Sequence, residues 1–156
     1  MENADKKNSA IRLLVALDEN YLPQLQVLLT SISINSPQDV GALYLMHSGI
    51  LAESLQRVEK QCSAFGCALH PVPVSADFFQ AAPVTKRYPQ EMYYRLLAPH
   101  LLPEDLDRIL YLDPDILVIN SLRPLWETDL KGCLFAAASH TGLTEIANDV
   151  NRIRLG

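Results

Sequence analysis

Basic residues are scarce in this chain, and long apolar runs are missing. Lys and Arg number 13 against 18 Asp and Glu, for a formal net charge of −5, so the basic footprint of nucleic-acid binders is lacking. No apolar run approaches the ~20 residues of a membrane span, and the polar opening from Glu2 to Ser9 has no signal-peptide core. Cysteine is sparse: Cys62, Cys67 and Cys133 make an odd count with neither C-x-x-C nor zinc spacing. All three are expected to be reduced packing residues. His47 and His70 sit near the ends of strand-like runs and His100 follows a helical one; none has a partner at metal-ligand spacing, so they read as structural. No G-x-G-x-x-G follows the first apolar run, which disfavours dinucleotide binding. Internal repeats, low-complexity segments and interdomain linkers are also absent. The expectation is a cytoplasmic protein with a flexible tail at 1–10 and one domain at 11–156. In a longer parent, peripheral membrane association stays open.

What is present is a core. Hydrophobic residues make up 49% of 156, ample for one globular domain. Ile11 to Leu17 is a continuous apolar run with a flanking arginine, the pattern of a strand buried on both faces of a parallel sheet. From Pro23, apolar residues at Leu25, Leu28, Leu29 and Ile32 predict an amphipathic helix with proline in its first turn. A second strand is expected from Ala42 to His47, and a second helix with Leu51, Leu55, Val58, Cys62 and Phe65 buried, stopping near Gly66. Leu69 to Val74 reads as a third strand, and Pro71 and Pro73 put it near an edge.

This strand–helix alternation predicts an α/β sheet with parallel strands. Further along come a loop with Asp77, Phe78 and Phe79, a helix from Pro89 to Ala98, a turn at Pro103 to Asp105, and a strand from Arg108 to Leu112. Leu122, Leu125 and Trp126 read as a short amphipathic turn, Leu134 to Ala138 as a strand, and Leu143 to Arg154 as a last helix.

The most informative stretch is Leu110 to Val118, where Asp113 and Asp115 flank Pro114 inside a strand-like apolar run. Burying a charge costs on the order of several kcal/mol unless it is paired or metal-bound, so these carboxylates belong at an opening. In extended backbone, residues i and i+2 share a face. Pro114 cannot continue a central ladder and marks the strand's end. Two converging carboxylates suit Mg²⁺ or Mn²⁺ shared with substrate phosphates; an Asp-Pro-Asp turn capping local N–H groups is the structural alternative. Asp18 ends the first strand in the same sense, and ligands of open α/β sheets bind beyond such carboxyl ends. Asp18, Asp113 and Asp115 are therefore expected at one cleft. Asn20 and Tyr21 add an amide and an aromatic face where a nucleoside fits, although Asp18 or Asn20 also suits a helix N-cap. Arg95, Lys86 and Arg87 are candidate contacts for a phosphate or sugar, or a solvated basic face.

Ala16 to Tyr21, then Tyr93 to Leu96, then Arg108 to Val118 running on to Ser121, Leu122 and Pro124 to Trp126 together resemble the retaining nucleotide-sugar glycosyltransferases of family 8. That family includes bacterial lipopolysaccharide galactosyl- and glucosyltransferases, glycogenin and galactinol synthase. The resemblance runs from about Ile11 to the end. It implies a GT-A fold, a Rossmann-like, mostly parallel sheet flanked by helices, of which this chain is the donor-binding half. It also implies transfer of a hexose from a UDP-sugar to a glycan acceptor such as a lipopolysaccharide saccharide. Asp113 and Asp115 would be the D-x-D pair holding Mn²⁺ (or Mg²⁺) on the donor diphosphate. Asp18, Asn20 and Tyr21 would meet uracil and ribose, and Arg95 the donor sugar or diphosphate.

Two departures stand out. Several relatives carry an aspartate after the strand matching Leu134 to Ala138, where this chain has Ser139 and His140, so the donor sugar stays open. The family's third metal ligand, a histidine, and the residues facing the anomeric carbon are expected in a second half, and His140 does not stand at that histidine's place. Apolar surface left uncovered would favour self-association. Two other functions fit parts of the pattern. One is nucleotide-sugar binding without transfer. The other is a haloacid-dehalogenase-like phosphohydrolase, whose D-x-D usually continues Gly-Thr or Gly-Val where Ile116 and Leu117 stand here.

Overall fold

Side chains alternate across a strand, and in β1 (Ile11–Ala16) both sets are buried. Ile11, Leu13 and Val15 enter one apolar cluster, Leu14 and Ala16 another. A strand apolar on both faces needs a covering layer on each. In the computed structural model, which describes residues 10–79 and 90–138, β2 (Val40–His47) pairs in parallel with β1, and β3 (Ala68–Pro73) in parallel with β2. β4 (Leu110–Tyr111) pairs in parallel with the other side of β1, giving the order β3-β2-β1-β4. The proline-bearing β3 is an edge, as expected. Where β1 and β2 slip register between Ile11 and Arg12, Gly41 is left without a strand partner. A Cβ there would come within 2.8 Å of the Ala10 Cβ, so glycine is needed for the close approach.

The helices are α1 (Leu22–Asn35), α2 (Ala52–Ser63), α3 (Glu91–Tyr94), α4 (Ala98–Leu101) and α5 (Arg123–Trp126). Leu25, Leu28, Leu29 and Ile32 of α1, Val58 and Cys62 of α2, and Trp126 of α5 cover one face of the sheet. Tyr94 and Ala98, from α3 and α4, join Leu14, Tyr44 and Met46 on the other. No helix among the described residues is long and apolar enough to cross a membrane.

Four expectations need correction. The helix from Pro89 to Ala98 is broken: α3 tightens into a 3₁₀ turn at Arg95–Leu97 before α4. Pro99 has no N–H to bond back to Arg95, and Ala98 donates to the Arg95 carbonyl instead. Leu51, expected on the buried stripe of α2, is 65% exposed, because it stands at the N-cap in extended backbone rather than inside the helix. Beyond the paired aspartates, backbone groups are taken up by side chains of α1, as Val118 N–H donates to Ser31 Oγ (3.0 Å) and Asn35 Nδ2 to Val118 O (2.9 Å). Leu134 to Ala138 is not a strand. The whole stretch is exposed, Leu134 at 98%, and an apolar run without a sheet edge beside it has no ladder to join. Cys133 is exposed, whereas Cys62 and Cys67 pack as expected. Lys86, Arg87, Ser139, His140 and the helix expected from Leu143 to Arg154 lie outside the described residues.

Candidate functional site

Register brings the two candidate loops together. β4 sits on β1 with Leu13 opposite Leu110 and Leu14 opposite Tyr111, and Leu112 N–H extends the ladder to Leu14 O at 3.0 Å. Asp18 follows the last residue of β1 by two positions, and Asp113 follows the last residue of β4 by two. Both loops therefore leave the carboxyl edge of neighbouring parallel strands, where open α/β sheets take their ligands.

Asp18 caps the 3₁₀ turn Glu19–Tyr21. Its Oδ1 accepts the N–H groups of Asn20 (2.9 Å) and Tyr21 (3.2 Å), and its Oδ2 accepts Asn20 Nδ2 (2.9 Å). Asp18 is thus the N-cap of this turn and also orients the exposed Asn20 amide, whose carbonyl and second N–H have no partner among the described residues. Tyr21 beside it is 42% exposed. Glu19 turns elsewhere, accepting Leu51 N–H (3.0 Å) and the Ser54 hydroxyl (2.5 Å) at the start of α2. The Ser54 hydrogen bond, then that of Leu51, holds its carboxyl below the usual range. Nothing in the sequence distinguished Glu19 from its neighbours, since its partners lie 32 and 35 positions away.

Asp113 is anchored and Asp115 is not. The Tyr111 hydroxyl donates to Asp113 Oδ1 at 2.7 Å, and Arg95 Nη1 stands 3.9 Å from the same oxygen. The Arg95 guanidinium also lies over the Tyr111 ring, 5.2 Å from its centroid. Burial, with the hydrogen bond to Asp113, pushes the Tyr111 phenol well up. Pro114 is buried between the two exposed aspartates, so the turn is pegged to the protein while its carboxylates face water. Asp115 has no hydrogen-bonding or ionic partner among the described residues. No cluster of three or more His, Cys, Asp or Glu able to hold a metal occurs among them either.

Two further titratable groups are buried. His47, at the end of β2, accepts Ile50 N–H on Nδ1 (3.3 Å), and desolvation lowers its pKa. Tyr94 is fully buried, and its hydroxyl has no hydrogen-bond partner among the described residues. Ser48 stands near it without hydrogen-bonding geometry, and burial pushes the phenol up. In the sequence Tyr94 stood out only as part of the Tyr93-to-Leu96 run, and its burial was not foreseen.

The family profile of glycosyl transferase family 8 matches residues 12–155. This chain belongs to that family. The family 8 chain is 26% identical over 148 residues to general stress protein A of Bacillus subtilis, covering 94% of this chain and 52% of that protein. It is 27% identical over 129 residues to lipopolysaccharide 1,2-glucosyltransferase of Escherichia coli K12, covering 83% and 38%. It therefore spans about half or less of the length of the curated relatives it matches. Among solved structures, the galactosyltransferase LgtC in complex with donor and acceptor sugar analogs superposes with a TM-score of 0.69 at 30% identity, over 77% of this chain and 43% of that one. The four-stranded parallel sheet with helices on both faces is accordingly a GT-A-type α/β fold. The haloacid-dehalogenase reading of the Asp113-Pro114-Asp115 turn is overturned by this membership.

Proposed function

We propose that this family 8 chain binds the donor of a hexosyl transfer: a UDP-sugar, with its diphosphate on a divalent cation and its hexose destined for a glycan acceptor with retention of anomeric configuration. The similarity to enzymes named as lipopolysaccharide glycosyltransferases supports a lipopolysaccharide saccharide as acceptor class. The observation that carries the reading is the convergence of two loops at one sheet edge, one offering an oriented amide beside an aromatic ring, the other two exposed carboxylates beside a guanidinium.

Roles follow from chemistry. Uracil presents alternating acceptors and a donor, which suit the Asn20 amide and the Asp18 carboxylate that orients it. The Tyr21 ring offers a face to the nucleoside. Arg95 suits diphosphate or sugar oxygens, since its 3.9 Å separation from Asp113 is too long for a full hydrogen bond. Asp113 and Asp115 fit Mn²⁺ or Mg²⁺, because they are exposed hard oxygen donors and such ions bind through one or two carboxylates plus substrate phosphates. When bound, the cation neutralises charge developing on the departing diphosphate. The chain's own residues hold the nucleotide and orient it.

Calorimetry of UDP with and without Mn²⁺ tests this. The expected result is binding that Mn²⁺ strengthens; a folded sample that binds no UDP in either condition would overturn it. Nucleotide-sugar binding without transfer is the second reading. Release of hexose or its transfer to an acceptor saccharide, followed with the radiolabelled UDP-sugar, separates the two.

A further inference from the structure

Three side chains share one oxygen at the carboxyl end of β4. Asp113 Oδ1 accepts the Tyr111 hydroxyl at 2.7 Å and faces Arg95 Nη1 at 3.9 Å, while the Arg95 guanidinium rests over the Tyr111 ring at 5.2 Å. Tyr111 and Asp113 are two positions apart, yet they meet because the chain leaves the ladder at Leu112 and turns at Pro114. Oδ2 of Asp113 has no partner among the described residues.

From this geometry, and resting on the donor-binding reading above, we infer that Tyr111 is a positioning residue with two separable duties. Its hydroxyl pins Asp113 through Oδ1 and leaves Oδ2 for the cation. Its ring carries the Arg95 guanidinium beside the carboxylate rather than across it, so that Arg95 keeps donors for an anionic ligand. Without such a support, Arg95 would be drawn into a short bidentate pair with Asp113, the geometry that guanidinium and carboxylate favour. That pair would occupy the cation's oxygens and the anion's donors together. Tyr111 thus keeps two opposite charges close without letting them cancel. Tyr111 is the last residue of β4, one before the final ladder bond at Leu112, and is only half-buried, its apolar part packed against the Leu14 and Tyr94 cluster.

The two duties belong to different parts of the side chain, which makes them testable. UDP affinity is measured by calorimetry on the full chain with and without Mn²⁺, for the wild type, Tyr111→Phe and Tyr111→Leu, with Mn²⁺ binding alone followed by electron paramagnetic resonance. Phenylalanine keeps the ring and drops the hydroxyl. It is expected to cut the Mn²⁺-dependent gain in affinity roughly tenfold, the size of one hydrogen bond to a charged group, with Mn²⁺-free affinity changed by less than about twofold. Leucine also removes the ring and is expected to lower the Mn²⁺-free affinity by about threefold or more, the size of a cation–π contact. A purely structural role would lower thermal stability and scale both affinities together, and that result, or an unchanged Tyr111→Phe, overturns the inference. If Tyr111→Leu does not fold, the split shown by Tyr111→Phe decides alone. A wild type that fails to bind UDP refutes the donor reading itself, a different outcome from a wild type that binds and variants that match it.

Discussion

Leu122 donates its backbone N–H to the Ser36 hydroxyl at 2.7 Å, across 86 positions of sequence, and both residues are buried. Val118 does the same with Ser31, and Arg123 grips Asp39 through Nε (3.2 Å) and Nη2 (2.8 Å). The stretch after the paired aspartates is thus stitched to α1 and the turn behind it by side chains. This stitching fixes the exit of the Asp113–Asp115 turn, just as β4 fixes its entrance.

Replacing Ser36 by Ala leaves the Leu122 N–H buried and unpaired. The expected cost is about 1–3 kcal/mol of folding stability, read from the urea denaturation midpoint at constant slope. A loss below about 0.5 kcal/mol would show that water or a backbone shift replaces the hydroxyl.

Asp115 and Asp113 should respond differently to amide substitution. Asp115→Asn alters an exposed side chain without a partner among the described residues, so the thermal midpoint should hold while Mn²⁺-dependent UDP affinity falls about tenfold or more. Asp113→Asn also weakens the contacts with Tyr111 and Arg95. It is therefore expected to change the metal-free affinity as well. Equal effects from the two variants would argue against the asymmetry of the site.

His47 sets a pH dependence. Burial holds its folded pKa below the unfolded value of about 6.5, so below that pH the unfolded chain takes up more proton than the folded one. Its contribution leaves stability unchanged above the unfolded value and destabilises as pH falls beneath it. Thermal midpoints between about pH 7.5 and about pH 5.5 should drop more for the wild type than for His47→Asn, which keeps an acceptor for Ile50 N–H. Parallel profiles would place the titration elsewhere.

Much of the proposed donor side was legible because its signals are local. The apolar run at β1, the 3–4 spacing of α1 and the prolines of β3 each act within a few residues, and each gave the observed element. Asp18, Asn20 and Tyr21 form one turn whose hydrogen bonds span two or three positions. Glu19 was illegible for the opposite reason, since its partners start a different helix. Apolar pattern also misled: Leu134 to Ala138 has the composition of a strand, but pairing depends on a neighbouring edge that composition does not encode.

The sequence by itself determined the family, the parallel α/β character and the carboxylates of the strand-end turn, because these depend on residue type and short-range spacing. Tertiary structure alone decided which groups are committed and which stay available: Glu19 to α2, Asp18 to the Asn20 amide, and one oxygen of Asp113 to Tyr111. Those commitments depend on strand register and on contacts between segments remote in sequence. A side chain's free hydrogen-bonding capacity is what remains once such contacts have formed.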